Sequence, residues 1–122
     1  MWIMIAGPYK FGASSAAERQ RNLDRLNDAA LAVFEKGHVP IIGVNLALPV
    51  IAVAEEGRFD EIMMPLSLAL VERCDACLRV GGPSDGADRE RDAFAARGLS
   101  VFESADDIPH ALSEVAASPV RG

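Results

Sequence analysis

The sequence predicts a doubly wound α/β domain, a Rossmann-like parallel sheet of about four strands between two helical layers. Three observations lead there. Short apolar runs rich in β-branched residues recur along the chain. Each is followed by a stretch with helical spacing. None of the runs alternates apolar with polar residues, so each strand is to be buried on both faces.

The elements follow in order. Trp2–Ala6 is a short apolar run closed by Gly7-Pro8, the signature of a buried strand. Gly7 to Ser14 is a loop. Ser15-Ala16-Ala17-Glu18 then has the spacing of a capping box, in which the serine oxygen takes a free amide and the glutamate reaches back. A helix runs from there to about Lys36, with Leu23, Leu26, Ala30, Val33 and Phe34 on one face and Gly37 as its stop. Val39–Val44 is the second strand. Leu46–Glu56 reads as a short helix broken near Pro49, and Phe59–Arg73 as a further helix. Ala76–Val80 is the third strand, Gly81–Gly86 a turn, Ala87–Arg97 a helix and Leu99–Phe102 the fourth strand. Asp106–Ala117 reads as a last helix with Pro109 in its first turn, and Ser118–Gly122 as a frayed tail. The single domain therefore spans residues 1–117, without repeats or linkers.

Right-handed crossovers give a strand order of 2-1-3-4. In such sheets a ligand sits beyond the carboxyl ends of the strands, where the winding reverses. That point lies between strands one and three, and the loops meeting there are Gly7–Ser14 and Gly81–Gly86.

Composition narrows the partners. Apolar residues make up 50% of 122 residues, enough for a core without staples. The net charge is −6, and the basic residues form no stripe, which argues against nucleic acid. A small phosphorylated ligand, needing one local positive site, remains compatible. The start lacks the basic n-region of a signal peptide. The longest apolar stretch, Val39–Ala54, is interrupted by Pro40, Asn45 and Pro49 and falls short of a membrane span, so a cytoplasmic protein is expected. Cys74 and Cys77 follow a helix, at its negative end. That is the wrong place for a reactive thiol pair, so they read as buried structural thiols. His38 and His110 are isolated, and no metal or cofactor is expected.

The chemistry concentrates in Gly81-Gly82-Pro83-Ser84-Asp85-Gly86-Ala87-Asp88-Arg89-Glu90. This segment follows a strand and opens a helix. Its glycines let backbone approach a ligand, and the free amides of the helix start attract an anion. Ser84 adds a hydroxyl. Glu90, one turn inside the helix, suits work on a sugar, where an oxocarbenium-like centre needs a negative partner. The bland alternative is a glycine turn with a Ser or Asp cap and a solvated glutamate. Gly7-Pro8-Tyr9 ends the first strand at the same place, and Tyr9 is suited to stack on a base or bond a sugar. Lys10, Arg19 and Asn22 lie on that loop or the helix after it, within reach of a phosphate, although a solvated surface role suits each of them as well. Asp75 either reaches the site or marks the entry to strand three.

Three pieces together carry a resemblance: Ala6-Gly7-Pro8-Tyr9, Cys74-Asp75 and Ser84-Asp85-Gly86-Ala87-Asp88-Arg89-Glu90. In this order, over Met1–Phe102, the chain resembles the nucleoside 2-deoxyribosyltransferase-like superfamily. It is most similar to a branch of small bacterial domains related to the 5′-monophosphate nucleoside N-glycosidases, whose motif is Ser-x-Gly-x-x-x-Glu. The resemblance implies that Glu90 attacks or stabilises the anomeric carbon of an N-glycoside. It implies that Ser84 and the Gly86 region hold a 5′-phosphate or hydroxyl, and that Gly7 and Tyr9 line the sugar and base pocket. Gly82, Asp85, Pro8, Arg19, Asn22 and Asp75 complete the expected binding set. A homodimer or homotetramer is also implied, with Leu46–Ala54 as a candidate interface. One departure stands out. Ser67 occupies the position of the family's second acid, eight residues ahead of Asp75, and Asp85, Asp88 or Asp75 would have to replace it. The expected activity is therefore hydrolysis or transfer at an N-glycosidic bond. A non-catalytic nucleotide sensor is the first rival. A phosphoribohydrolase of the cytokinin-activating type ranks last, because the Gly-Thr-x-x-Glu spacing is absent.

Overall fold

The computed structural model describes residues 1–111. The sheet has four parallel strands in the order β2-β1-β3-β4: β1 Trp2–Ala6, β2 Val39–Ile41, β3 Ala76–Arg79 and β4 Ser100–Phe102. Its helices are α1 Ala16–Glu35, α2 Gly43–Ala52, α3 Phe59–Val71 and α4 Asp85–Ala96, followed by a 3-10 turn at Ala105–Asp107.

The lack of alternation along the strands has its consequence in the packing. Ile3 and Ile5 of β1 join Leu26 and Val33 of α1 in one core. Met4 and Ala6, their neighbours in sequence, join Val71, Cys77 and Phe94 in a second core on the other face. Successive side chains of a strand point to opposite faces, so a strand apolar at every position demands a cover on both. The result is three layers, with the sheet in the middle.

Several local expectations differ from the structure. β2 ends at Ile41 and α2 starts at Gly43, so Val44 is helical and not part of the strand. α2 and α3 run unbroken through Pro49 and Pro65, each exposed. A proline removes one backbone bond, and the packing of α2 against α3 offsets that loss. Phe34 is 63% exposed, although the periodicity of α1 counts it on the buried face. At Ser15 the expected cap forms: its hydroxyl accepts the Glu18 amide at 3.1 Å. The returning arm goes one residue further, with Glu18 Oε2 accepting the Ser14 amide at 3.1 Å and the Ser14 hydroxyl at 2.7 Å. α4 begins at Asp85, two residues earlier than expected, because Ser84 caps it.

The predicted last helix does not start as read. Asp106 and Asp107 belong to the 3-10 turn, and Ile108 is extended, with φ −80° and ψ 125°. Pro109 explains this, since a proline pushes the residue before it out of the helical region. The rest of that predicted helix, and the tail, lie outside the described residues. Among the described residues no helix is long and apolar enough to cross a membrane.

Candidate functional site

The loops after β1 and β3 meet as the strand order requires, and glycine makes the meeting possible. At Gly7 a Cβ would lie 2.7 Å from the Val80 carbonyl oxygen and 2.8 Å from Leu26 Cδ2. Gly81 has φ +79°, and a Cβ there would lie 2.8 Å from Pro8 Cδ. Any larger residue would part the two loops. Arg79, the last residue of β3, then fastens the turn. Its guanidinium donates to the carbonyls of Val80 and Gly82, the latter at 2.8 Å, and to Asp88 Oδ1 of α4 at 3.1 Å. Ser84, in extended conformation, accepts the Ala87 amide at 3.2 Å and opens α4.

Between these loops and α3 lies a cavity of about 430 Å³. Gly7, Tyr9, Lys10 and Phe11 line it from the first loop. Phe59, Asp60, Met63, Met64 and Ser67 line it from α3, and Ser84–Ala87, Arg89 and Glu90 from α4, with Val44 closing one side. The Tyr9 and Phe59 rings stack with centroids 6.2 Å apart and planes 14° from parallel, and Lys10 Nζ sits 4.5 Å from the Phe59 centroid. The walls are therefore aromatic and thioether. The end formed by α4 carries backbone amides and hydroxyl groups.

Glu90 sits in that cavity and is 8% exposed. Burial disfavours its charged form and pushes its pKa up to about 7, against the opposing pull of the Ser67 hydroxyl and the Arg79 guanidinium. Ser67 is itself buried, with its Oγ 3.9 Å from Met63 Sδ. The Ser67 hydroxyl lies beside the Glu90 carboxyl and favours its charged form. Gly43 makes room for the pair: a Cβ there would run into Ser67 Oγ and lie 3.5 Å from Glu90 Oε2. Near neutral pH this carboxyl is present in both protonation states, so it can attack as a carboxylate or donate a proton as an acid.

The structure sorts the predicted site residues. Gly7, Tyr9, Ser84, Asp85, Gly86 and Glu90 share the cavity. Pro8, Asn22 and Gly82 line a neighbouring cleft of about 500 Å³. Asn22 also donates to the Tyr9 carbonyl at 2.8 Å and so supports the loop that carries the ring. Arg19 lines neither space, although its neighbours Glu18, Arg21 and Asn22 in the same turns of α1 line the cleft. Of the two roles read for Asp75, the structure shows the entry to strand three and not a place in the cavity. Asp75 precedes β3, at the opposite edge of the sheet, where it accepts the Trp2 amide at 2.8 Å. Of the acids considered as replacements at Ser67, Asp88 is held by Arg79 at 3.0 Å and Arg91 at 3.3 Å, while Asp85 lines the cavity. Asp60 lines it too and went unread, as did Phe59, Met63 and Met64. Arg79 was legible in principle, since a charged residue ending an apolar strand stands at the ligand edge. Cys74 and Cys77 are free and buried. Burial raises both thiols, Cys77 to about 12, as suits structural residues. Among the described residues, no three His, Cys, Asp or Glu side chains gather as a metal site would require.

Fold and site together define a doubly wound α/β protein with a buried carboxyl at its topological switch point. No protein-family model and no curated protein matches the chain.

Proposed function

We propose that this protein cleaves or transfers the N-glycosidic bond of a nucleoside or nucleoside 5′-monophosphate, with Glu90 acting at the anomeric carbon. One observation carries the reading. A buried carboxyl with its pKa raised to about 7 opens onto the same cavity as an aromatic pair and the amide end of a helix. These three features match the three parts of such a ligand. The base lies against Tyr9, Phe59 and the two methionines. The sugar lies over Glu90. The 5′ end meets Ser84, Gly86 and the amides of α4, with the Arg89 and Lys10 cations at the mouth.

In the reaction a Glu90 carboxylate oxygen bonds to C1′ as the C1′–N bond breaks and its electron pair leaves with the base. The base gains its proton from water, which Asp85 and Asp60 at the cavity wall can hold in place. Water, or a second base, then attacks C1′ and releases Glu90. Tyr9 and the Ser84 hydroxyl position the substrate for both steps. The resemblance described above supports this assignment, and so does the sharing of one cavity by Tyr9 and Glu90.

Ser67 favours a second reading. A hydroxyl beside Glu90, where the similar enzymes carry an acid, suits a sensor that binds a nucleotide without breaking it. A panel of nucleosides and 5′-monophosphates separates the two, with chromatography for free bases and calorimetry for binding. Base release by the wild type and its loss in Glu90→Ala support the enzyme. Binding with no base released, in water or with an acceptor base, supports the sensor. Leu46 and Val50 of α2 and Val53 at its end form an exposed apolar strip, 50%, 47% and 87% accessible. We assign it to contact with a second copy of the chain, in a dimer or tetramer measurable by light scattering. A cytoplasmic setting fits the two free thiols.

A further inference from the structure

The cleft beside the Glu90 cavity has no part in the chemistry above. It lies between the first loop, α1 and the Gly81–Pro83 turn, and encloses about 500 Å³. Phe11 lines both spaces, and Ser84 of the first cavity directly follows Gly82 and Pro83 of the second. The two spaces therefore adjoin along the turn. Gly82 lines the cleft, and nothing lies within 4 Å of where a Cβ at Gly82 would stand.

The charge in the cleft runs against that of the chain. A protein of net charge −6 places two guanidiniums here, Arg21 and Arg25, one turn apart on the same face of α1. No carboxylate lies within ion-pair distance of either among the described residues. Each guanidinium carries five donors. The single hydrogen bond either makes among the described residues is Arg25 Nη1 to Asn22 Oδ1, at 3.4 Å. Arg25 Nη1 is also held against the turn, 3.6 Å from where a Gly81 Cβ would stand. The cleft's one acid, Glu18, accepts both the amide and the hydroxyl of Ser14. These bonds first, and the nearby Arg21 charge after them, hold its carboxyl below the usual range, so Glu18 offsets part of the charge of Arg21 without forming an ion pair with it. Two donor-rich cations exposed to solvent one turn apart, beside a loop of glycines, match the demands of a phosphate.

We propose that this cleft is an oligophosphate subsite, in which Arg21 and Arg25 bind the phosphate beyond the one at the α4 amides. The favoured ligand is then a nucleoside 5′-diphosphate, or another nucleoside whose 5′ arm continues past the first phosphate. The inference extends the proposed function by naming the 5′ side of its ligand, and it rests on that reading for the nucleoside half alone.

Calorimetry with inorganic pyrophosphate, nucleoside 5′-monophosphates and 5′-diphosphates tests it on the wild type and on R21A/R25A. Both arginines are exposed on a helix, so alanine there preserves α1, and circular dichroism checks the fold. The wild type is expected to bind pyrophosphate and the double variant to lose it. The wild type is also expected to hold a diphosphate about tenfold tighter than the monophosphate, an advantage that shrinks with salt and disappears in R21A/R25A while monophosphate affinity stays level. Equal wild-type affinities for mono- and diphosphate overturn the proposal. So does pyrophosphate binding that ignores the arginine pair. The proposed chemistry fails differently: no base is released from any nucleotide, while pyrophosphate binding keeps its dependence on Arg21 and Arg25.

Discussion

At the N-terminal edge of the sheet, Asp75 accepts the Trp2 amide, His38 Nε2 bonds the Pro109 carbonyl at 2.6 Å, and Lys36 Nζ donates to the carbonyls of Ala105 and Ile108 at 2.6 and 2.7 Å. At the carboxyl edge, Glu90 is buried facing an open cavity, and the exposed Arg21 and Arg25 line a cleft. Both edges hold charged side chains. At the first, polar groups are spent on holding the chain together. At the second, they are held in place by other residues and kept available. Arg79 shows the division of labour, since its bonds all go to the turn and α4, which leaves Ser84 and Glu90 to face the ligand. A polar group already satisfied by the protein has little left to offer a ligand, and one buried without a full set of partners stays costly until a ligand arrives.

The largest expected effect tests the open edge. Glu90→Gln keeps the shape of the side chain and removes its charge, and is expected to cut base release by about 10²–10⁴-fold in a chromatographic assay. A variant as active as the wild type would show that the buried carboxyl has no part in the chemistry. Stability should respond in the opposite sense. The folded chain keeps the Glu90 proton up to about pH 7, whereas the unfolded chain releases it near 4.5. Between those values the folded state binds more protons, so its stability falls as pH rises, by about 3 kcal/mol relative to Glu90→Gln. Urea titrations of both proteins at pH 5 and pH 8 measure that difference, and parallel curves would contradict the burial of the carboxyl.

Ser84→Ala removes the cap of α4 and is expected to cost about 1 kcal/mol in the same titrations, together with a weaker hold on 5′-phosphates. The smallest effect belongs to the closed edge. Asp75→Ala loses a bond to one exposed amide and is expected to destabilise by about 1 kcal/mol or less, with ligand affinity unchanged in calorimetry. A loss of binding in that variant would erase the contrast between the two edges.

Helix capping sharpens the same contrast within one sequence pattern. α1 and α4 both open on a serine whose hydroxyl accepts the amide three residues on. In α1 the acid of that first turn, Glu18, is turned back on the loop and its pKa is lowered by the hydrogen bonds of Ser14. In α4 the acid that matters lies deeper, at Glu90, where the third layer of the fold covers it and the shift is upward. The signals at the two helix starts look alike on paper. Their chemistry differs because α3 packs over one of them.

Fold class and strand order were determined by local facts: apolar runs short enough for strands, glycines and serines at the helix ends, and the handedness of parallel crossovers. The same facts located the switch point, and with it Gly7, Tyr9, Ser84 and Glu90. Strand and helix limits were less legible at Ile41–Val44 and Ile108–Ala111, where either structure satisfies the apolar pattern and a following proline or a packed partner decides. Only the tertiary structure decided that Asp75 belongs to the far edge, that Ser67 adjoins Glu90, and that Phe59 stacks on Tyr9. Those relations join residues distant along the chain or on opposite ends of one strand. Burial, which sets the charge of Glu90, exists only once the layers have closed around it.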